Sequence, residues 1–331
     1  MNAFVSVEGL DKVFDVSPPW LNRVLHRTPR RLLRAIDGLS LEIERGQTVA
    51  LVGESGCGKS TVARVLSGLY APSRGRVLFD GLDVHAKRSP ADEARFRPRV
   101  QMIFQDPYAS LNPRWRVEDV VGEPLLLHGG VRSRVERRER VGDLLAAVGL
   151  SAADISKYPH QFSGGQRQRL SIARALAGHL EFLVCDEPTS ALDVSVQAQV
   201  LNLMKSLQES RGLTYLFISH NLAAVRFISD VVGVMYLGRL VEMAPRSRLF
   251  AAPRHPYTRM LLDAVPSLHP QAPDQTVIQG DVPNPLEPPR GCTFHPRCPH
   301  AVDRCREQAP TLLEAGGIRV ACHAVEEGRL G

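Results

Sequence analysis

Apolar positions along this chain change their period several times, and each change marks an element. FVSVEGL (Phe4–Leu10) alternates well enough to predict an edge strand. The Pro- and Arg-rich SPPWLNRVLHRTPRRLLR (17–34) follows neither period. It reads as an exposed insertion or a short basic helix, and a solvated loop is the expected form. LSLEI (Leu39–Ile43), a turn at Glu44-Arg45-Gly46-Gln47, and continuous apolar TVALV (Thr48–Val52) predict two strands, the second buried on both faces. TVARVLSGL then shifts to helical spacing. Further strands are expected at Arg76–Phe79 and Val100–Phe104, and a helical middle from Pro107 to Leu180 with charged faces. Beyond it lie a strand at Phe182–Cys185, a helix at Ser195–Arg211, a strand at Thr214–Ser219 and a helix at Leu222–Ile228. A hairpin over Val231–Met243, turning at Leu237-Gly238, closes the pattern. Strands alternating with helices imply an α/β fold around a mainly parallel, buried sheet.

Composition bounds this picture. The 331 residues suit one large domain plus an appendage, and 44% hydrophobic with 23% charged residues excludes wholesale disorder. No apolar run approaches the roughly 18–20 residues of a membrane span. MNAFVSVEGLDKVF has no basic n-region or apolar h-region of a secretory signal, so a soluble cytoplasmic chain is expected. The formal charge of +6 suits nucleic acid, anionic lipid or phosphate ligands and selects none of them. Past Pro245 the composition turns to Pro, Arg, His and Cys, and four of the six cysteines (Cys292, Cys298, Cys305, Cys322) fall there. In a reducing compartment such a cluster argues for metal over disulfides. A short Pro-rich tail buries little apolar surface, and a metal staple would explain how it holds a shape. The C-x5-C-x6-C-x16-C spacing is looser than common zinc pairs and unlike the ferredoxin run. Zinc, an iron–sulfur cluster and free thiols all remain open, with His295, His300 or His323 as substitute zinc ligands.

Gly53-Glu54-Ser55-Gly56-Cys57-Gly58-Lys59-Ser60-Thr61 contains G-x-x-x-x-G-K-S, between a buried strand and a helix. Glycines let successive backbone N–H groups fold around a polyphosphate, and the helix N-terminus adds a favourable dipole. Lys59 is a mobile charge able to reach the β- and γ-phosphates, and Ser60 offers a hydroxyl to Mg²⁺. Cys57 is expected to be a small residue facing outward, open to oxidation. FLVC leads to Asp186-Glu187, two carboxylates at the C-terminal end of a parallel strand. Asp186 suits Mg²⁺ and Glu187 suits polarisation of an attacking water.

Phe162-Ser163-Gly164-Gly165-Gln166-Arg167-Gln168-Arg169, ahead of helical LSIARALAG, resembles the signature of the ATP-binding cassette family, with Phe162 where the family carries Leu. Gln105 resembles the Q-loop glutamine, Ser190-Ala191-Leu192-Asp193 the D-loop, and His220 the switch histidine that contacts the γ-phosphate. Phe14 matches the aromatic that stacks on adenine, with Trp20 and the basic insertion as competitors. The resemblance implies a P-loop NTPase (RecA-like) core sheet, an antiparallel β subdomain, an α-helical signature subdomain, and a small Cys/Pro-rich extension. It divides the chain into a nucleotide-binding domain (1–245, helical subdomain about 107–180) and an extension (246–331). It assigns ATP to Phe14 and to Gly53, Glu54, Ser55, Gly56, Cys57, Gly58, Lys59, Ser60 and Thr61. It also assigns to Ser163, Gly164, Gly165, Gln166 and Asp193 contact with the ATP held by the phosphate loop of a second cassette packed head to tail. Mg²⁺ falls to Ser60, Gln105 and Asp186, and hydrolysis to Glu187, His220 and Gln105.

Within the family the chain most resembles the ATPase subunits of bacterial dipeptide and oligopeptide importers. VGESGCGKST, NPRWRVEDVVGEPLLLHG, the run from His255-Pro256-Tyr257-Thr258 into RMLLDAVPSL, and GCTFHPRCP carry that likeness. It implies uptake through two separate permease subunits, a second and different cassette, and an extracytoplasmic peptide-binding protein. It also implies no nucleic acid, a place on the cytoplasmic face of the inner membrane, and a 4Fe-4S cluster on the four tail cysteines, with zinc as the alternative. Nickel chelates or glutathione are the alternative solutes, and a soluble nucleotide-dependent regulator is the reading from another class. About a hundred residues between phosphate loop and signature leave no room for the coiled coil of chromosome ATPases, and a single phosphate loop excludes a tandem ATPase.

Overall fold

The computed structural model describes residues 3–26, 29–86, 89–128, 130–264 and 280–330. Residues 265–268 of the RMLLDAVPSL run, and 27–28 of the basic stretch, lie outside them. In chain order the strands are β1 (Val5–Asp15), β2 (Leu32–Ile43), β3 (Thr48–Val52), β4 (Arg74–Phe79), β5 (Leu82–Asp83) and β6 (Val100–Ile103). They continue with β7 (Phe182–Asp186), β8 (Thr214–Ile218), β9 (Val231–Tyr236), β10 (Arg239–Pro245), β11 (Leu313–Ala315) and β12 (Ile318–Val320). The chain forms two compact units, one of residues 1–42, 51–85 and 229–331, the other of 43–50 and 86–228. β3 runs through both.

In the first unit an antiparallel sheet has the order β2-β1-β4-β5. β1 is therefore interior and not the edge strand its short alternation predicts. Its ladder with β4 runs from Val5↔Phe79 to Asp11↔Arg74, with a register shift between Glu8 and Asp11. That shift lets the strand continue past Leu10. The basic stretch is likewise not a loop: Trp20–His26 is helical and β2 begins at Leu32. The alternation of β2 is broken at Gly38 (φ 66°), and near its exposed start Arg34 pairs with Asp37 at 2.8 Å. β9 and β10 form the expected hairpin, with Leu237 (φ 44°) and Gly238 (φ 81°) both left-handed, as a tight two-residue turn requires. The opposite edge of β10 pairs with β12 (Glu242↔Val320, Met243↔Arg319), which turns back into β11. Residues beyond 245 thus extend the sheet that holds the β9–β10 hairpin, a different sheet from β2-β1-β4-β5.

The second unit holds parallel β6, β7 and β8, in register from Val100↔Phe182 and Phe182↔Thr214. All of β7 and β8 is buried, which is why both read as unbroken apolar runs. Residues 43–50 join it through the Tyr215 N–H, which donates to the Gln47 carbonyl at 3.0 Å. Helices Val117–His128, Arg134–Ala147 and Gly164–Leu176 supply the helical middle. Glu118, almost wholly buried, ties the first two by accepting from Arg137 and Arg138 at 3.0 Å each. Removing one partner from such a cluster leaves a buried charge uncompensated. None of the described helices is long and apolar enough to cross a membrane.

Candidate functional site

The phosphate loop leaves buried β3 through backbone that only glycine tolerates. Gly53 and Gly58 have φ of +149° and +106°, and a Cβ on them would lie 2.2 Å from the carbonyl oxygens of Met235 and Ala35. Lys59 opens the helix Lys59–Leu66. Its buried Nζ donates to the carbonyls of Gly53 (2.7 Å) and Glu54 (2.9 Å), so the loop is wound around its own ammonium group. Cys57 does not face outward. It is buried, its Sγ lies 3.5 Å from Lys59 Nζ, and burial pushes its thiol pKa up, which disfavours the reactive thiolate. Ser55 and Gly56 form the exposed rim.

In the second unit β7 delivers Asp186, 3% exposed, and then Glu187. Glu187 has φ +49°, a left-handed conformation unusual for a residue with a side chain. Its N–H is anchored to the Ile218 carbonyl at 2.9 Å. The carboxylate accepts from Gln105 Nε2 at 2.9 Å, and its other oxygen lies 3.2 Å from His220 Nδ1. Three residues named from separate motifs thus meet at one carboxylate. The strained backbone aims it there, the kind of conformation that clusters at functional sites.

Ser163 caps the helix Gly164–Leu176 reciprocally. Its Oγ accepts from the Gln166 N–H at 3.4 Å, while Gln166 Oε1 accepts from the Ser163 N–H at 2.9 Å. Both side chains are exposed, whereas Gly165 is buried against Val196. Asp193 begins the helix Val194–Arg211 and is exposed. In the first unit Phe14 is half-buried and packs edge-on to Tyr70 (5.7 Å), with Lys12 Nζ 5.0 Å from its ring centre. Trp20, the competitor, is 70% exposed.

The tail brings Cys292, Cys298, Cys305 and Cys322 to one small cavity, with His255, His295, His300 and His323 in its wall. Yet among the described residues no three His, Cys, Asp or Glu side chains are arranged to hold a metal ion. The expected iron–sulfur or zinc centre therefore has no support in this arrangement. Burial pushes the Cys292 thiol up to about 11 and also raises Cys298 and Cys322. Among the histidines, His295 Nδ1 lies 2.9 Å from the Cys292 carbonyl, and His323 Nε2 3.0 Å from that of Gln308.

Two contacts on the phosphate loop were not anticipated. Tyr257 Oη accepts from the Glu54 N–H at 2.9 Å, and the Glu54 carboxylate is paired with Arg297. The His-Pro-Tyr motif was a visible signal for the first. Arg297, 243 residues from Glu54, offered none.

Residues 36–190 match the ABC transporter family, and residues 241–305 match the oligopeptide/dipeptide transporter C-terminal region. The chain is 52% identical to the di/tripeptide transport ATP-binding protein DppF of Pseudomonas aeruginosa, over 89% of this chain and 91% of that one. It is 47% identical to the dipeptide transport ATP-binding protein DppF of Escherichia coli, over 90% and 89%. Among solved structures, a dimeric cassette, MJ0796, bound to ADP and Pi superimposes with a TM-score of 0.63 at 26% identity, covering 73% of this chain and 98% of that one. CbiO1 from Clostridium perfringens, part of the cbiONQ transporter complex, gives 0.63 at 27%, covering 76% and 92%. The chain belongs to the ATP-binding cassette family of transporter ATPases. Its homologues are ATP-binding subunits of dipeptide and oligopeptide importers.

Proposed function

We propose that this ATPase powers the uptake of di- and oligopeptides through separate membrane permeases. The observation that carries the reading is the match of residues 241–305 to the oligopeptide/dipeptide transporter C-terminal region. Residues 1–245 form the nucleotide-binding domain on this reading, and 246–331 the importer-type extension.

Each compact unit brings part of the chemistry. The phosphate loop holds the polyphosphate, with Lys59 exchanging the Gly53 and Glu54 carbonyls for phosphate oxygens, and Phe14 stacks on the adenine. Glu187 orients and polarises the attacking water, with Gln105 and His220 fixing its carboxylate and His220 reaching the γ-phosphate. Ser60, Gln105 and Asp186 carry the hard oxygen donors that suit Mg²⁺, which when bound neutralises phosphate charge. Ser163, Gly164, Gly165, Gln166 and Asp193 lie at helix starts, and the exposed Ser163, Gln166 and Asp193 face a nucleotide held by a second cassette. That partner is a different cassette, so the working unit is a heterodimer completed by ATP.

Permease coupling falls to the segment after Gln105. There Tyr108, Leu111, Asn112, Trp115 and Arg174 line a groove, with Tyr108 62% and Trp115 40% exposed. The assembly sits on the cytoplasmic face of the membrane and receives solute from an extracytoplasmic binding protein. A metal staple on the four cysteines remains part of the proposal on donor identity alone, and iron, sulfide and zinc analysis of anaerobically purified protein decides it.

The test is uptake of radiolabelled dipeptide in a strain lacking this subunit. The wild-type chain should restore uptake, with competition by unlabelled peptides and not by glutathione or nickel chelates. The Glu187→Gln chain should bind nucleotide yet restore nothing. Near-normal uptake with Glu187→Gln would defeat the catalytic assignment, and competition by glutathione or nickel chelate alone would replace the solute.

A further inference from the structure

The phosphate loop is gripped from one side by residues of the C-terminal extension. Arg297 Nη1 and Nη2 donate to the two carboxylate oxygens of Glu54 at 2.8 and 3.0 Å, a two-pronged, charge-assisted pair. The Arg297 side chain is only 3% exposed and that of Glu54 22%. The guanidinium carbon lies 5.8 Å from the ring centre of Tyr236 and 5.9 Å from that of Phe294. Those rings pack with Tyr257 at centroid separations of 4.7 to 5.4 Å. Tyr257 in turn accepts the Glu54 N–H, so both the backbone and the side chain of the loop's second residue are committed to the tail.

The tail's grip is itself anchored. Buried Glu242 on β10 accepts the N–H groups of Arg254 and His255 at 2.9 Å each. His255 Nδ1 accepts the Tyr257 N–H at 3.0 Å, capping the helix Pro256–Asp263 that carries the tyrosine. A path of hydrogen bonds therefore runs from β10 to the loop.

We propose that Arg297 and Tyr257 are positioning residues for nucleotide binding. Arg297 cancels a carboxylate that would otherwise repel the polyphosphate from within its own cradle, and Tyr257 fixes the turn that follows Gly53. Neither touches nucleotide on this account. The proposal rests on the phosphate-loop reading given above. Burial of the pair is weak support for a purely stabilising role, because a buried ion pair often contributes little net stability.

Isothermal titration of Mg·ADP into the full-length chain tests this. Arg297→Met should raise Kd about tenfold, equivalent to about 1.4 kcal/mol. Arg297→Lys, which keeps the charge and loses the fork, should fall between the two. The distinguishing variant is Arg297→Met combined with Glu54→Gln: removing the stranded carboxylate should return Kd to within about threefold of wild type. Tail packing alone could not produce that rescue. The proposal fails if Arg297→Met binds like wild type while Lys59→Ala abolishes binding, a result that leaves the phosphate-loop reading intact. It also fails if the double variant stays as weak as the single one. Should Arg297→Met not fold, Arg297→Lys and the uncharged double variant carry the same comparison. A wild-type chain that binds no Mg·ADP would overturn the phosphate-loop reading itself.

Discussion

At the scale of single residues, burial decides more than identity does. His255 is an ordinary histidine by sequence, yet burial pushes its pKa down to about 3, only partly offset by a hydrogen bond with the Ala321 carbonyl. The folded chain holds it neutral, with Nδ1 free to accept the Tyr257 N–H, while the unfolded chain takes up a proton near pH 6.5. Its contribution to stability is therefore full above pH 6.5 and is lost as pH falls toward 3, by up to about 1.4 kcal/mol per pH unit. Urea midpoints at pH 7.5 and 5.0 should separate more for wild type than for His255→Asn, which keeps a cap acceptor without the titration. Equal separations would refute it. Lys59, Gln105, Glu187 and His220 were legible because each sits in a motif with fixed neighbours. The direction of Cys57 and the role of Arg297 were not, because both depend on what folds against the loop from far along the chain.

At the scale of elements, the helix carrying the signature depends on one missing methyl group. A Cβ on Gly165 would lie 2.2 Å from Val196 Cγ1, whereas one on Gly164 would meet Leu192 at an ordinary 3.6 Å. Gly165→Ala should therefore destabilise the chain by about 1–3 kcal/mol through overpacking. Gly164→Ala should leave stability unchanged or slightly raised, because alanine favours helix. Chemical denaturation of the two variants checks the contrast, and equal midpoints would remove it. Periodicity located β3, β7, β8 and the β9–β10 hairpin, which are apolar runs with clear ends, but not β5, β11, β12 or the helices Pro90–Phe96, Arg246–Ala251 and Pro256–Asp263. It also misjudged β1 and β2, where a register shift and left-handed Gly38 break the alternation that would have revealed their length.

At the scale of the whole molecule, the extension completes a sheet as well as a loop. Without β12, the edge of β10 at Glu242 and Met243 has no partner, and an open strand edge invites pairing with other chains. Deleting residues from Ile318 onward should shift the protein to soluble aggregates on size-exclusion chromatography, while a monomeric elution profile matching wild type would contradict this. Composition alone marked the tail as different and could not show that it is built into the first unit, because pairing partners are set by register and not by residue type. The Arg297–Glu54 pair also has a consequence in time. Its two halves are 243 residues apart. At translation speeds of 5–20 residues per second, that is a wait of about 12–50 s between the synthesis of the loop and that of its guanidinium. A nascent or prematurely terminated chain carries its phosphate loop with the carboxylate uncancelled throughout that interval, so unfinished copies should compete poorly for cellular nucleotide.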